Sequence, residues 1–317
     1  MVIEPEFKPI LDRKKHKHDF DEHFAEQEGL LKDITNYGSN LIVRCFGTSN
    51  RQLEDTIVIG TLLKQVVAMV DGAEILISNV ALYSSNLQAR AGFEASLYID
   101  WILKNDTEIK AKYYYISNLR KERLWALRMT GTSHDQVKFD QMMRDINSQL
   151  EITGDIKDEA QKQIDEIDQF LSRPSFSDIN NEIINYKNKK RLDYEPSWYS
   201  PLGVSSVRKI AIDVGRLPEY EFIYSLASEV MHSSKYRHHI RIGDGKLYFE
   251  PIRNLKDIKT LITLIVACTL RTYMAILKYY RPDELRAFGR KYLDDWRKAF
   301  LGIKSVAYSS SSDSIII

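Results

Sequence analysis

SSNLQARAGFEASLYIDWILKND, residues 84–106, is the stretch whose pattern decides the fold class. Ser84, Ser85 and Asn86 are residues that cap helix N-termini, because their short polar side chains satisfy backbone N–H groups that a first turn leaves without partners. Leu87, Ala91, Phe93, Leu97, Tyr98, Trp101 and Ile102 then recur at intervals of three and four, the spacing of one helix face. Asn105 and Asp106 mark the exit. Within this apolar helix Arg90 and Glu94 stand four residues apart, so a cation and a carboxylate share one stripe close to a core-facing surface.

Working outward, helical spacing is found almost everywhere. Upstream, Ile57, Leu62, Leu63, Val66, Val67 and Val70 fall at helical intervals, interrupted by Gly60 and Gly72. Downstream, residues 107–129 form a third periodic segment, ended by Gly131 and Thr132. Residues 136–171 are charged and amphipathic, and Gly154 divides them into a helical hairpin. A connector containing Pro196, Trp198, Pro201 and Gly203 follows. Between 240 and 252, IRIGDGKLYFEPI alternates around Gly243, Asp244 and Gly245, the signature of a small β-hairpin. Helices resume near Leu255 and continue to about Leu301. The expected fold is therefore all-α: a multi-helix bundle with a small inserted β-hairpin near 240–252. Residues 1–52 read as an N-terminal arm and short lead-in, 53–301 as the bundle with the charged hairpin inserted near 136–171, and 302–317 as a flexible tail.

Composition narrows the function classes. The chain has 317 residues, 44% of them hydrophobic, enough for a substantial core and incompatible with wholesale disorder. Its 45 basic and 44 acidic residues leave a formal charge of +1, so no global field draws it to nucleic acid or to an anionic membrane. Cys45 and Cys268 are too few for a disulfide framework. The N-terminus is charged where a signal peptide needs an apolar core, and the apolar run Leu261–Leu270 ends at Arg271, short of the roughly 20 residues of a membrane span. A cytoplasmic protein without membrane association is expected.

The second polar stripe lies in YEFIYSLASEVMHSSKYRHH, residues 220–239, where Tyr224, Ser228 and His232 recur every four residues. Two readings are open. The side chains can satisfy one another as a buried seam, or His232, which titrates near neutrality, can do acid–base chemistry with Tyr224 and Ser228 orienting it or holding a phosphate oxygen. A serine hydrolase is disfavoured, since no Gly-x-Ser-x-Gly turn surrounds Ser228. Arg237, His238 and His239 follow Lys235 and Tyr236 and form a local basic patch able to hold phosphate or simply face solvent. His16, His18, Asp19, Glu22 and His23 are metal-ligand types in a spacing that fits no established site, and Arg128 and His134 form only a loose pair across a helix end. Neither a metal nor a cofactor is expected.

The blocks RAGFEASLYIDWIL (90–103) and WYSPLGVSSVRKIAIDVGRLPEYEFIYSLASEVMHSS (198–234) resemble domain-of-unknown-function family 5677, whose members show an Arg-x-x-x-Glu helix, a central Trp connector and a Tyr-x-x-x-Ser-x-x-x-His helix. That family looks like a remote relative of the HEPN proteins, all-helical domains that often dimerise and include metal-independent ribonucleases of toxin–antitoxin and antiphage systems. The resemblance implies a site made of Arg90, Glu94, Tyr224, Ser228 and His232, with Trp198 as a packing anchor. It departs from HEPN nucleases in spreading Arg and His over two distant segments. Its implications are RNA as the substrate and a homo-oligomer or a partner protein as the assembly. The competing reading is a non-catalytic helical interaction module, in which the same polar residues specify helix packing or a dimer seam and the tail SSSSDSIII adds a strand to a partner's sheet edge.

Overall fold

The computed structural model describes residues 11–307, apart from 48–49, 51, 131–133, 147–152, 225–226, 228–229, 232–238 and 244, together with 315–316. The fold is all-α with one small antiparallel sheet. The chain forms two compact units: Met1–Asn50, Ile59–Lys104 and Ile210–Ile317 make the first, and Arg51–Val58 with Asn105–Lys209 the second.

The first unit is built on four long helices, α1 (Arg13–Phe46), α2 (Thr61–Ser78), α3 (Leu82–Lys104) and α9 (Ile258–Tyr280). α2 packs on both α1 and α3, and α9 packs on both α3 and α1, so the four enclose one core. Leu31, Ile34, Leu63, Ile77, Leu97, Ile102, Ile262 and Ile276 are all buried there. The segments Asp55–Ser78 and Ile258–Tyr280 are long and apolar enough to cross a membrane, and 50% and 56% of their most apolar windows are buried inside the protein. A helix apolar on most of its circumference is what a bundle interior demands.

α1 starts where the sequence pattern suggested an arm. The Asp12 side chain accepts a hydrogen bond from the Lys15 backbone N–H at 3.0 Å and caps the first turn. Phe20, Phe24, Gln27, Leu31, Ile34, Gly38, Leu41 and Cys45, separated alternately by four and three residues, then form one buried stripe. Gln27 escapes the cost of burying an amide by donating to the Ala299 carbonyl at 2.9 Å.

A short α8 (Val207–Asp213) leads through Gly215, whose φ of +69° suits a residue without Cβ, into a helical turn at Leu217–Glu219 that widens to a π turn at Tyr220–Tyr224. The hairpin pairs β1 (Ile240–Gly243) with β2 (Lys246–Phe249), closing on Gly243 opposite Lys246 with Gly245 at φ +72°. β3 (Ile315–Ile316) adds to the outer edge of β2, with Tyr248 opposite Ile316 and Phe249 opposite Ile315. The end of the tail therefore makes in cis the strand addition that the sequence suggested for a partner; residues 308–314 and 317 lie outside the described residues. After α9, α10 (Leu285–Lys291), a π turn (Tyr292–Trp296) and α11 (Arg297–Leu301) follow, and Trp296 donates to Asp33 at 2.6 Å.

In the second unit α4 (Thr107–Leu127) packs on α6 (Gly154–Leu171) and α7 (Pro174–Lys190), and α5 (His134–Asp145) touches α4. The helical hairpin read at 136–171 is thus part of a larger unit that also takes in α4, α7 and the Trp198 connector. Arg120 makes a two-pronged ion pair with Glu195, at 2.7 and 3.0 Å, and Lys187 adds a third contact to the same carboxylate at 2.8 Å. Trp198 is buried edge-on to Tyr114, with ring centroids 5.3 Å apart.

Candidate functional site

Arg90 and Tyr224, separated by 134 positions, meet face to face. The Arg90 guanidinium carbon lies 4.2 Å from the centroid of the Tyr224 ring, within the range of a cation–π contact. Tyr224 in turn stacks on Tyr220, with centroids 4.6 Å apart and planes 16° from parallel. An Arg90 N–H also points at the sulfur of Met231 at 3.1 Å, and Met231 immediately precedes His232 in the chain. A thioether is a weak acceptor. Among the described residues the cation is thus oriented by soft partners.

Glu94 pairs within its own helix. Its carboxylate accepts a hydrogen bond from the Tyr98 hydroxyl at 2.7 Å, and among the described residues no ion pair joins it to Arg90. Both spacings are i to i+4, but Arg90 turns towards the Tyr220–Tyr224 segment and leaves Glu94 to the next turn of α3. Arg90, Glu94 and Tyr224 are all half-buried. Ser228, His232, Arg237 and His238 lie outside the described residues. His239 is exposed and sits edge-on to the Tyr83 ring at 4.8 Å. No group of three or more His, Cys, Asp or Glu side chains among the described residues is arranged to hold a metal ion.

The strongest polar feature of this unit is one that the motif pattern did not reveal. Arg216 is fully buried. Its Nε donates to Glu219 at 2.7 Å, Nη1 to Ser96 at 2.5 Å and to Asp100 at 2.9 Å, and Nη2 to the Cys268 sulfur at 3.2 Å, while the same nitrogen lies 2.5 Å from Glu219. The Phe93 ring closes one face, 4.9 Å from the guanidinium carbon. Arg271 binds the other oxygen of Glu219 at 3.0 Å and lies 3.7 Å from Asp100, and Thr272 donates to Ser96 at 2.7 Å. Two cations thus face two carboxylates. Burial opposes the Arg216 charge, but the Asp100 and Glu219 carboxylates beside it outweigh that and hold the guanidinium protonated. Burial pushes the Asp100 carboxyl up, with Arg216 and Arg271 acting against it, and also pushes the Cys268 thiol up. The sequence carries a signal for this cluster: Asp100 is a lone carboxylate inside the apolar run LYIDWIL, and such a residue needs a buried cation as partner.

Beside the cluster a groove of about 1110 Å³ runs along α9, lined by Leu270, Met274, Phe288, Tyr292 and Phe300. At its charged wall Lys104 is tied to Asp213, and Arg271 to Glu219.

Fold and site together define an all-helical protein in which a half-buried arginine on one core helix is met by the aromatic face of a segment more than a hundred residues further on. The chain belongs to the family of unknown function DUF5677, which it matches over residues 56–247. That span contains Arg90, Asp100, Arg216 and Tyr224 and the whole 220–239 stretch. No curated protein and no solved structure matches the chain.

Proposed function

We propose that this protein is a HEPN-like, metal-independent endoribonuclease of the toxin or antiphage-effector type, acting in the cytoplasm. The observation that carries the reading is the convergence of Arg90 with Tyr224 and Met231. It brings the Arg-x-x-x-Glu helix against the segment that carries His232. In this reading a base removes the proton from a ribose 2′-hydroxyl, the oxygen attacks the adjacent phosphorus, and the bond to the 5′-oxygen of the next nucleotide breaks. The leaving oxygen takes up a proton. His232 serves as base or acid. Arg90 holds the phosphate, where charge builds on its non-bridging oxygens, and a guanidinium fork suits that geometry. Tyr224 supports the underside of the guanidinium, and the anion takes the place of the weak Met231 contact at its N–H edge. Glu94, bound to Tyr98, fixes the adjacent turn of α3 rather than the arginine itself.

The test is incubation of purified protein with mixed RNA in the presence of a chelator, alongside Arg90→Ala and His232→Ala. Cleavage by the parent and loss of at least about a hundredfold in each variant, the scale of a lost acid–base or charge-stabilising group, supports the reading. A parent that leaves RNA intact, or variants that cleave as well as the parent, removes it.

A further inference from the structure

The Arg216 cluster has a geometric role that the candidate site depends on. Four hydrogen bonds and one further ion-pair contact tie this guanidinium to three parts of the unit: Ser96 and Asp100 on α3, Glu219 at the head of the Tyr220–Tyr224 turn, and Cys268 on α9. From there the path to the candidate site is short. Glu219 is held by Arg216 and Arg271, the next residue Tyr220 stacks on Tyr224, and Tyr224 lies against Arg90. On the other side Phe93, one turn from Arg90 along α3, packs on Arg216 itself.

We infer that Arg216, with Asp100 and Glu219, is a positioning latch: it fixes how the 216–224 segment approaches α3, and so holds Tyr224 against Arg90. The physical ground is that a buried ion cluster contributes little net stability compared with apolar residues of the same size, because desolvation cancels much of the attraction. Its hydrogen bonds, unlike apolar contacts, tolerate only a narrow range of distance and direction. Apolar burial of side chains such as Phe93 and Ile223 leaves sliding and rotation permitted. The directional bonds remove that freedom. The functional meaning of the latch rests on the ribonuclease reading, but its geometry can be read without RNA.

The experiment uses the full chain and the Nε–Hε resonance of Arg90, identified by its loss in Arg90→Lys. The ring-current contribution of Tyr224 is defined by Tyr224→Leu. In Arg216→Met/Asp100→Leu/Glu219→Leu, which exchanges the cluster for apolar side chains, the protein is expected to melt cooperatively while the Arg90 resonance moves to the position seen in Tyr224→Leu. Arg216→Lys, which keeps the charge but lacks the planar fork, is expected to move it as well. Gly38→Ala, a destabilising change elsewhere in the same unit, is expected to leave it in place. A folded triple variant with the Arg90 resonance at its native position overturns the latch. If the triple variant does not fold, Glu219→Gln is read in the same way: movement towards the Tyr224→Leu position supports the latch, and no movement overturns it. A parent protein that fails to cleave RNA while these shifts are observed ends the ribonuclease reading and leaves the latch standing.

Discussion

At Gly38, α1 runs close against Tyr273 and Val67, and replacing the glycine with alanine measures how tightly the core is specified. A Cβ built there would stand 2.0 Å from the Tyr273 hydroxyl oxygen, 2.6 Å from the Tyr273 Cζ and 2.6 Å from a Val67 methyl. Real Cβ atoms do not approach this closely, so something has to move. Tyr273 is fully buried, donates its hydroxyl to the Ile34 carbonyl at 3.0 Å and packs on Tyr37 at 5.7 Å, which leaves it little room. Overpacking of a core costs about 1–3 kcal/mol, and a buried hydroxyl pushed off its partner costs about 1–3 kcal/mol more. Alanine in mid-helix returns about 1 kcal/mol through its better propensity. The net expectation is a loss of about 3 kcal/mol, or roughly 6–12 °C in Tm for a unit of this size. Urea denaturation measures it, and a cycle with Tyr273→Phe tests the cause. Without the hydroxyl the nearest clash disappears, so Gly38→Ala should cost about 1 kcal/mol less in that background. A neutral or stabilising Gly38→Ala, which helix propensity alone would give, refutes the packing argument.

Other perturbations have equally definite outcomes. Burial alone would raise the Glu195 carboxyl, but hydrogen bonds from Arg120 and Lys187 outweigh it and hold its pKa below the ordinary value. Its contribution is therefore present above the unfolded-state pKa and lost as pH falls through the lower folded-state value. Glu195→Gln should cost about 3 kcal/mol at pH 7, and denaturation curves of the two proteins should converge as the pH drops well below 4.5, the ordinary value. In a double-mutant cycle the Arg90–Tyr224 contact should give a coupling of about 0.5–1 kcal/mol, appropriate to a half-exposed cation–π pair; zero coupling means that the two do not interact in solution. Removing residues 309–317 takes β3 from β2 and leaves a strand edge open. Light scattering should then show concentration-dependent self-association with helical melting unchanged.

Much of the fold is legible because its periodicities are unmixed. α3 announces itself through Phe93, Leu97, Trp101 and Ile102, and the hairpin through Gly243 and Gly245 between alternating residues. α1 is obscured because two positions of its buried stripe are Gln27 and Gly38, which hydropathy counts as breaks. Only the Ala299 carbonyl and the crowding against Tyr273 explain them. The association of α4 with α6 and α7 leaves no pattern along the sequence, because it depends on distant pairs such as Arg123 with Asp168, at 2.6 Å. In the site, the four-residue spacings marked Arg90 and Tyr224 but not which neighbour each chooses. Glu94 turns to Tyr98 and Arg90 to the far segment. Arg216 carries no motif at all; the isolated Asp100 was its only trace.

End-group analysis of RNA incubated with the protein in chelator distinguishes attack by the ribose 2′-oxygen from every other route. Attack by the 2′-oxygen must leave a 2′,3′-cyclic phosphate on one fragment and a 5′-hydroxyl on the other, and an otherwise identical strand lacking 2′-hydroxyls must survive. Those ends are expected from the parent protein and are expected to disappear in Arg90→Ala and His232→Ala. An intact RNA, or cleavage that leaves 5′-phosphates and persists in both variants, would contradict the ribonuclease reading.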